Sequence, residues 1–184
     1  MASIIIVGDG PGGLSAALFL AKNGEDVHVF GTDQTAMNFA LLRNYLGIPE
    51  ISGAEFQAVA RTQATSQGAA LSASTVEAIA PLGDGFAVRT DDGAEHHADY
   101  IVLSEGRSPE LAPALGVATD PQGDIVLDAD HRTSVDRVYV VGRSARPRRS
   151  QAIISAGAGA VAALDILSRE RGEDFQDWDS PPKD

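Results

Sequence analysis

Ser3-Ile4-Ile5-Ile6-Val7-Gly8-Asp9-Gly10-Pro11-Gly12-Gly13-Leu14 decides the fold, because an apolar strand runs here straight into a glycine-rich turn that opens a helix. The spacing is that of a dinucleotide-binding fingerprint. Gly8 permits the tight turn, Gly10 lets a pyrophosphate approach bare backbone, and Gly13 lets the helix lie close to the strand. Pro11 suits the first helical turn, where its missing N–H is not needed. Leu14, Ala17, Leu18 and Ala21 recur at spacings of three and four, so one helix face packs on a sheet while the first amides face phosphate. A bare GxGxxG is a weak signal; between Ile4–Val7 and this helix, with a second strand at residues 26–30, it becomes a strong one.

Outward from that unit, Gly24 stops the first helix, and Val27-His28-Val29-Phe30 pairs parallel to the first strand through a right-handed crossover. A short helix is expected around residues 36–46. Ser52-Gly53-Ala54-Glu55 reads as a capping box opening a helix that ends near Gly68, with Phe56, Val59 and Ala60 as its buried stripe. Short segments at 71–74, 76–80, 86–90 and 94–97 are divided by turn formers and suggest an antiparallel meander. Residues 100–103 and 138–142 have the unbroken apolarity of strands buried on both faces, and 124–127 suggests a small strand. Residues 151–167 form an Ala-rich helix in which Gly157 and Gly159 allow close contact with a neighbour. The expected architecture is α/β: a single Rossmann-like domain over residues 1–169, with a parallel sheet and an antiparallel β-meander, and a flexible acidic tail over 170–184.

At 184 residues the chain is long enough for one domain with a proper core and too short for two of ordinary size. Its net charge of −12 argues against any general affinity for nucleic acid or anionic membrane. Arginine dominates the 14 basic residues, with only Lys22 and Lys183 as lysines, and aspartate outnumbers glutamate. Such a composition fits a salt-adapted, halophilic proteome, or else a GC-rich genome with ordinary acidity. The absence of cysteine excludes disulfides, thiolate metal sites and thiol redox catalysis. No segment approaches a membrane span, and Ile4–Val7 is too short for a signal peptide, so a cytoplasmic location is expected. No metal site is expected, because His96 and His97 are strand neighbours that point to opposite faces, while His28 and His131 are isolated.

The front fingerprint and the back segment Arg132-Thr133-Ser134-Val135-Asp136-Arg137-Val138-Tyr139-Val140-Val141-Gly142 together resemble the flavin domain of the thioredoxin reductase family, from Ser3 to about Leu167. The resemblance implies FAD as cofactor, with its pyrophosphate on the turn of Gly8, Gly10, Pro11, Gly12 and Gly13. Asn44-Tyr45-Leu46-Gly47 is similar to the family's Asn-aromatic-Pro-Gly segment near the flavin. Val76 stands where the family reads adenine with strand backbone, and Ser104-Glu105-Gly106 stands where it has Ala-Thr-Gly. Gln151 and Ala152 fall at the start of the last helix, whose N-terminus favours the negative charge a reduced flavin carries.

Five departures qualify the resemblance. The family's NADPH domain should be inserted after Ser104-Glu105-Gly106, yet Arg107-Ser108-Pro109-Glu110-Leu111 continues directly into the exit segment. The redox cysteine pair, which belongs to that domain, is missing with it. The family's Gly-Asp after the last strand is here Gly142-Arg143; Arg143 could bond pyrophosphate oxygens bidentately, and an Asp9–Arg143 ion pair is expected beside them. Thr35-Ala36-Met37-Asn38 replaces the family's Gly-Gly-Gln-Leu near the flavin. The second strand runs out into Gly31-Thr32-Asp33 with no acid directly at its end, so ribose binding falls to Asp33 or to backbone.

These features imply a minimal FAD-binding oxidoreductase or electron-transfer flavoprotein with an unknown acceptor, taking electrons from an external donor such as a ferredoxin or a reductase. The alternatives are a non-catalytic nucleotide-binding sensor and an NAD(P)-binding protein. A homodimer would cover flavin-pocket surface left open by the absent domain. Arg143, Arg146, Arg148 and Arg149 form a basic cluster in an acidic chain, either a phosphate clamp or donor-docking patch, or a solvated loop. Glu105 is expected to stabilise the loop rather than relay protons, and no residue stands out as a catalytic acid, base or nucleophile.

Overall fold

The computed structural model describes residues 1–180. Five parallel strands form the main sheet in the order β10-β9-β1-β2-β5: β1 is Ser3–Val7, β2 Asp26–Phe30, β5 Ala70–Ser72, β9 Tyr100–Leu103 and β10 Val138–Val140. Alternation along the strands divides the core. Ile4, Ile6, Val27, Val29, Tyr100, Val102 and Tyr139 face the helical layer, whereas Ile5, Ile101, Leu103, Val138 and Val140 face the opposite side. The helical layer holds α1 (Pro11–Lys22) and α4 (Ala152–Arg171), with α2 (Gly53–Ser66) outside α1. The other face is covered by an antiparallel meander of β6 (Val76–Leu82), β7 (Gly85–Thr90) and β8 (Glu95–Ala98), together with the short α3 (Leu111–Ala114).

The two main helices meet backbone to backbone. A Cβ on Gly159 would overlap the Gly12 carbonyl oxygen and stand 2.9 Å from the Ala16 nitrogen, so only glycine fits. Gly157, expected to serve the same purpose, is exposed and has open space before it. By length and hydropathy α4 does match a membrane span, contrary to the sequence expectation. In the fold it is a core helix: Ala158, Ala162, Ala163, Ile166 and Leu167 lie buried against the sheet and α1.

Other expectations shift. Between β2 and α2 only a single 3₁₀ turn forms, Ala36–Phe39, opened by Thr35 Oγ1 accepting from the Met37 amide. The chain then extends into β3 (Leu41–Leu42), which pairs antiparallel with β4 (Ile51–Ser52). Ser52 caps α2 as read, accepting from the Glu55 amide at 3.2 Å. The buried face of α2 is Gly53, Gln57 and Ala64; Val59 is half exposed, because α2 packs on a helix and not on the sheet. Residues 70–72 join the parallel sheet beside β2 and not the meander, and near residue 125 there is only an isolated Thr119–Ile125 bridge.

A polar network ties α4 to the sheet. Asp165 accepts from the Tyr139 hydroxyl at 2.6 Å and from Arg132 Nε at 2.7 Å, while Arg169 bonds Asp136 at 2.7 Å. Burial raises the Asp165 pKa, but the bonds from Arg132 and Tyr139 outweigh it and hold the carboxyl below its usual range. Burial and the Asp165 acceptor push the Tyr139 phenol strongly up. Past α4, Lys22 Nζ contacts Asp177 at 2.9 Å and Asp179 at 2.5 Å, and Phe175 packs against the helical core under the Arg171 guanidinium. Residues 181–184 of the expected acidic tail lie outside the described residues.

Candidate functional site

The strands β9, β1 and β2 end side by side, and the chain leaves β1 at the point where strand order reverses, the place where open α/β sheets bind ligands. A groove of about 1270 Å³ runs across these carboxyl ends. Its floor depends on glycines. Gly8 has φ +97°, and a side chain there would strike the Ser104 carbonyl; Gly12 lies against the Gly142 amide, 2.9 Å from where its Cβ would be. Gly10 has nothing before it but Thr35 Oγ1 at 3.6 Å, which leaves its backbone bare to the groove. The pairing that aligns the rims is explicit: Ser104 N donates to Val7 O at 2.7 Å and Val141 N to Leu103 O at 2.9 Å.

The groove walls bring together Gly8, Gly10, Pro11, Gly12, Thr32, Asn44, Val76, Ser104, Gly106, Gly142, Arg143, Gln151 and Ala152. Gly13 and Asp33, also expected there, do not line it. Gly13 packs under Gly8 O, where no side chain fits, and Asp33 adopts a left-handed conformation, φ +58°, with its amide donating to Asp9 Oδ2. Asn44 Nδ2 donates to Gln151 Oε1 at 3.0 Å, joining two segments that lie 107 residues apart at one end of the groove. Phe39 and Leu46, 93% and 89% exposed, belong to the same 3₁₀ and loop segment as that end.

The expected Asp9–Arg143 pair does not form. Asp9 turns toward α2, where Arg61 pairs with its Oδ2, the Asp33 amide donates to the same oxygen at 3.0 Å, and Gln57 Nε2 reaches the Asp9 carbonyl at 2.5 Å. Arg143 has no acidic partner among the described residues. Its Nε is buried with no hydrogen-bond partner among the described residues, although it lines the groove. Such an orphaned donor beside a wall of free helix-end amides fits an anionic ligand.

Glu105 is structural. It accepts from the Glu110, Leu111 and Ala112 amides at 2.8, 2.7 and 3.1 Å, capping α3 and folding the 104–112 segment back on itself. Arg148 pairs with Asp124, whereas Arg146 and Arg149 are exposed and have no acidic partner among the described residues. His28 stacks on Phe30 and meets His96 edge-on, and burial, then His96, lowers its pKa. No metal cluster exists among the described residues. Arg61 and Gln57 were not picked out from sequence, though the capping box at Ser52 sets the phase of α2 and places 57, 61 and 64 on one face.

Comparison with known proteins agrees with this geometry. A family model described as pyridine nucleotide-disulphide oxidoreductase matches residues 48–160, more than half the chain. The mercuric reductase of Shigella flexneri is 35% identical over 98 residues, covering 51% of this chain and 17% of that protein. Monodehydroascorbate reductase 1 of Arabidopsis thaliana is 28% identical over 141 residues, 75% of this chain and 30% of that protein. The chain thus spans less than a third of the curated relatives it matches. Among solved structures, a thioredoxin reductase from Gloeobacter violaceus superposes with a TM-score of 0.88 at 17% identity, covering 97% of this chain and 99% of that one. A ferredoxin-flavin thioredoxin reductase from Clostridium acetobutylicum gives 0.81 at 17%, covering 94% and 99%.

Proposed function

Because the chain belongs to the pyridine nucleotide-disulphide oxidoreductase family, whose thioredoxin-reductase-like fold and FAD cofactor it shares, we propose that it is a minimal flavoprotein that receives electrons from an external donor. One observation carries this: residues 104–137 lead from β9 to its neighbour β10 through a four-residue helix and no additional sheet. Nothing in that connection supplies a second nucleotide fold, and no cysteine is available for a dithiol relay.

FAD, when bound, supplies reversible two-electron chemistry. The chain's own residues hold and orient it. The Gly8–Gly12 turn and the opening amides of α1 would take the diphosphate, with the unpartnered Arg143 alongside. Val76, in the groove wall, would meet the adenine, and Gln151 and Ala152, at the start of α4, would meet the flavin, where the helix dipole favours negative charge. Asn44 fixes the Gln151 side chain. Exposed Arg146 and Arg149 give this loop a positive sign in a chain of net charge −12, which suits an acidic carrier of the ferredoxin type.

The test is a visible spectrum of the FAD-reconstituted protein at high salt, followed anaerobically with reduced ferredoxin or with NADPH alone. The expected result is a yellow protein bleached by ferredoxin, inert to NADPH, and recoloured by an acceptor. A colourless protein that still binds ADP would replace this function with nucleotide sensing, and rapid bleaching by NADPH alone would refute the external donor.

A further inference from the structure

In dinucleotide folds the acid that reads the adenosine ribose ordinarily sits at the end of the second strand. Here β2 ends in Phe30-Gly31, and Asp33, the next acid along, is not part of the groove wall. The space beside Gly31 is filled instead by Asp9: a Cβ on Gly31 would stand 2.7 Å from Asp9 Oδ1. Glycine at 31 thus makes room for a carboxylate that arrives from the fingerprint turn. Asp9 is 4% exposed and lines the groove.

Its two oxygens are used unequally. Oδ2 takes both Arg61 and the Asp33 amide. Oδ1 accepts no hydrogen bond among the described residues, and it is not one of the fully buried atoms without a partner. A carboxylate whose Oδ2 is held by an arginine and whose Oδ1 has no partner, on a residue that lines the groove, can accept from a hydroxyl there. We propose that Asp9 is the ribose-recognising acid of this groove, with Oδ1 accepting from the 2′-hydroxyl of the adenosine end and Arg61 fixing the carboxylate in place.

This assignment rests on the groove being the coenzyme site and is independent of which donor supplies electrons. The test compares ADP with 2′-deoxy-ADP by calorimetry on the whole chain, in the wild type and in Asp9→Ala. The wild type should bind ADP at least about tenfold more tightly than 2′-deoxy-ADP, the worth of one hydrogen bond to a charged group. Asp9→Ala should bind the two ligands alike. A wild-type ratio near one overturns the proposal whether or not the variant folds, and so does a variant that weakens both ligands equally, which is what a purely turn-locking Asp9 would give. No ADP binding at all would remove the coenzyme-site assignment and this one with it, whereas failed electron transfer with the tenfold ratio intact leaves Asp9 in its role.

Discussion

Two glycines on one helix, two residues apart, should respond to alanine with opposite signs. At Gly159 the added methyl meets Gly12 O inside van der Waals contact and Ala16 N at 2.9 Å, both backbone atoms of α1 that no rotamer change can move. Overpacking of this kind costs about 1–3 kcal/mol, toward the upper end against rigid backbone, and the helix-propensity gain of about 1 kcal/mol offsets part of it. The net is a loss near 2 kcal/mol, or a melting temperature lowered by roughly 4–8 °C for a chain of this size. Gly157 is exposed with open space before it, so only the propensity gain operates, and Gly157→Ala should melt roughly 1–4 °C higher. Circular dichroism melts of both variants at constant salt, with and without FAD, decide the matter. Since Gly12 belongs to the turn proposed to hold the diphosphate, Gly159→Ala should also weaken FAD. Should Gly159→Ala melt at or above the wild type, or both variants shift the same way, the backbone contact between α1 and α4 is wrong.

Arg143→Ala should weaken FAD by about ten- to a hundredfold in a fluorescence titration, with Arg143→Lys intermediate because lysine lacks the planar fork; unchanged affinity would remove Arg143 from the site. Asp165→Asn breaks the junction of Arg132, Tyr139 and α4 and should cost roughly 2–3 kcal/mol, or roughly 4–12 °C in melting temperature near neutral pH. The sign with pH follows from the depressed Asp165 pKa: its contribution is complete above the ordinary carboxylate range and is lost as pH falls through the lower folded value, so wild type and variant should converge in acid. A gap that persists unchanged at pH 2 would contradict the charge-based account.

What was legible in the sequence was local. Strand, turn and helix from Ser3 to Lys22 follow from residues within a few positions of one another, and so does the Ser52 cap. The back strand was legible from its unbroken apolar run, which marks burial on both faces. Side-chain pairings between distant residues were not. Asp9 and Arg61 lie 52 positions apart, and nothing in either neighbourhood shows that Asp9 turns toward α2 and not toward Arg143. Residues 70–72 have strand character, but their membership in the parallel sheet depends on α2 returning the chain to β2. The α2 stripe failed for a related reason: Val59 is the more apolar residue, yet Gln57 is buried because its amide serves the Asp9 carbonyl.

The backfolded segment after β9 has an engineering consequence. Glu105 accepts the Glu110 amide at 2.8 Å, so the two ends of the intervening 106–109 turn are clasped together, and Arg107 and Ser108 are exposed within it. A reductase module with adjacent termini, spliced between Arg107 and Ser108, would therefore graft onto the scaffold without prying β9 from β10. Arg107 and Ser108 both line the groove, so the chimera would carry its own electron source beside the cleft proposed for FAD, where the lone domain is proposed to rely on an external one.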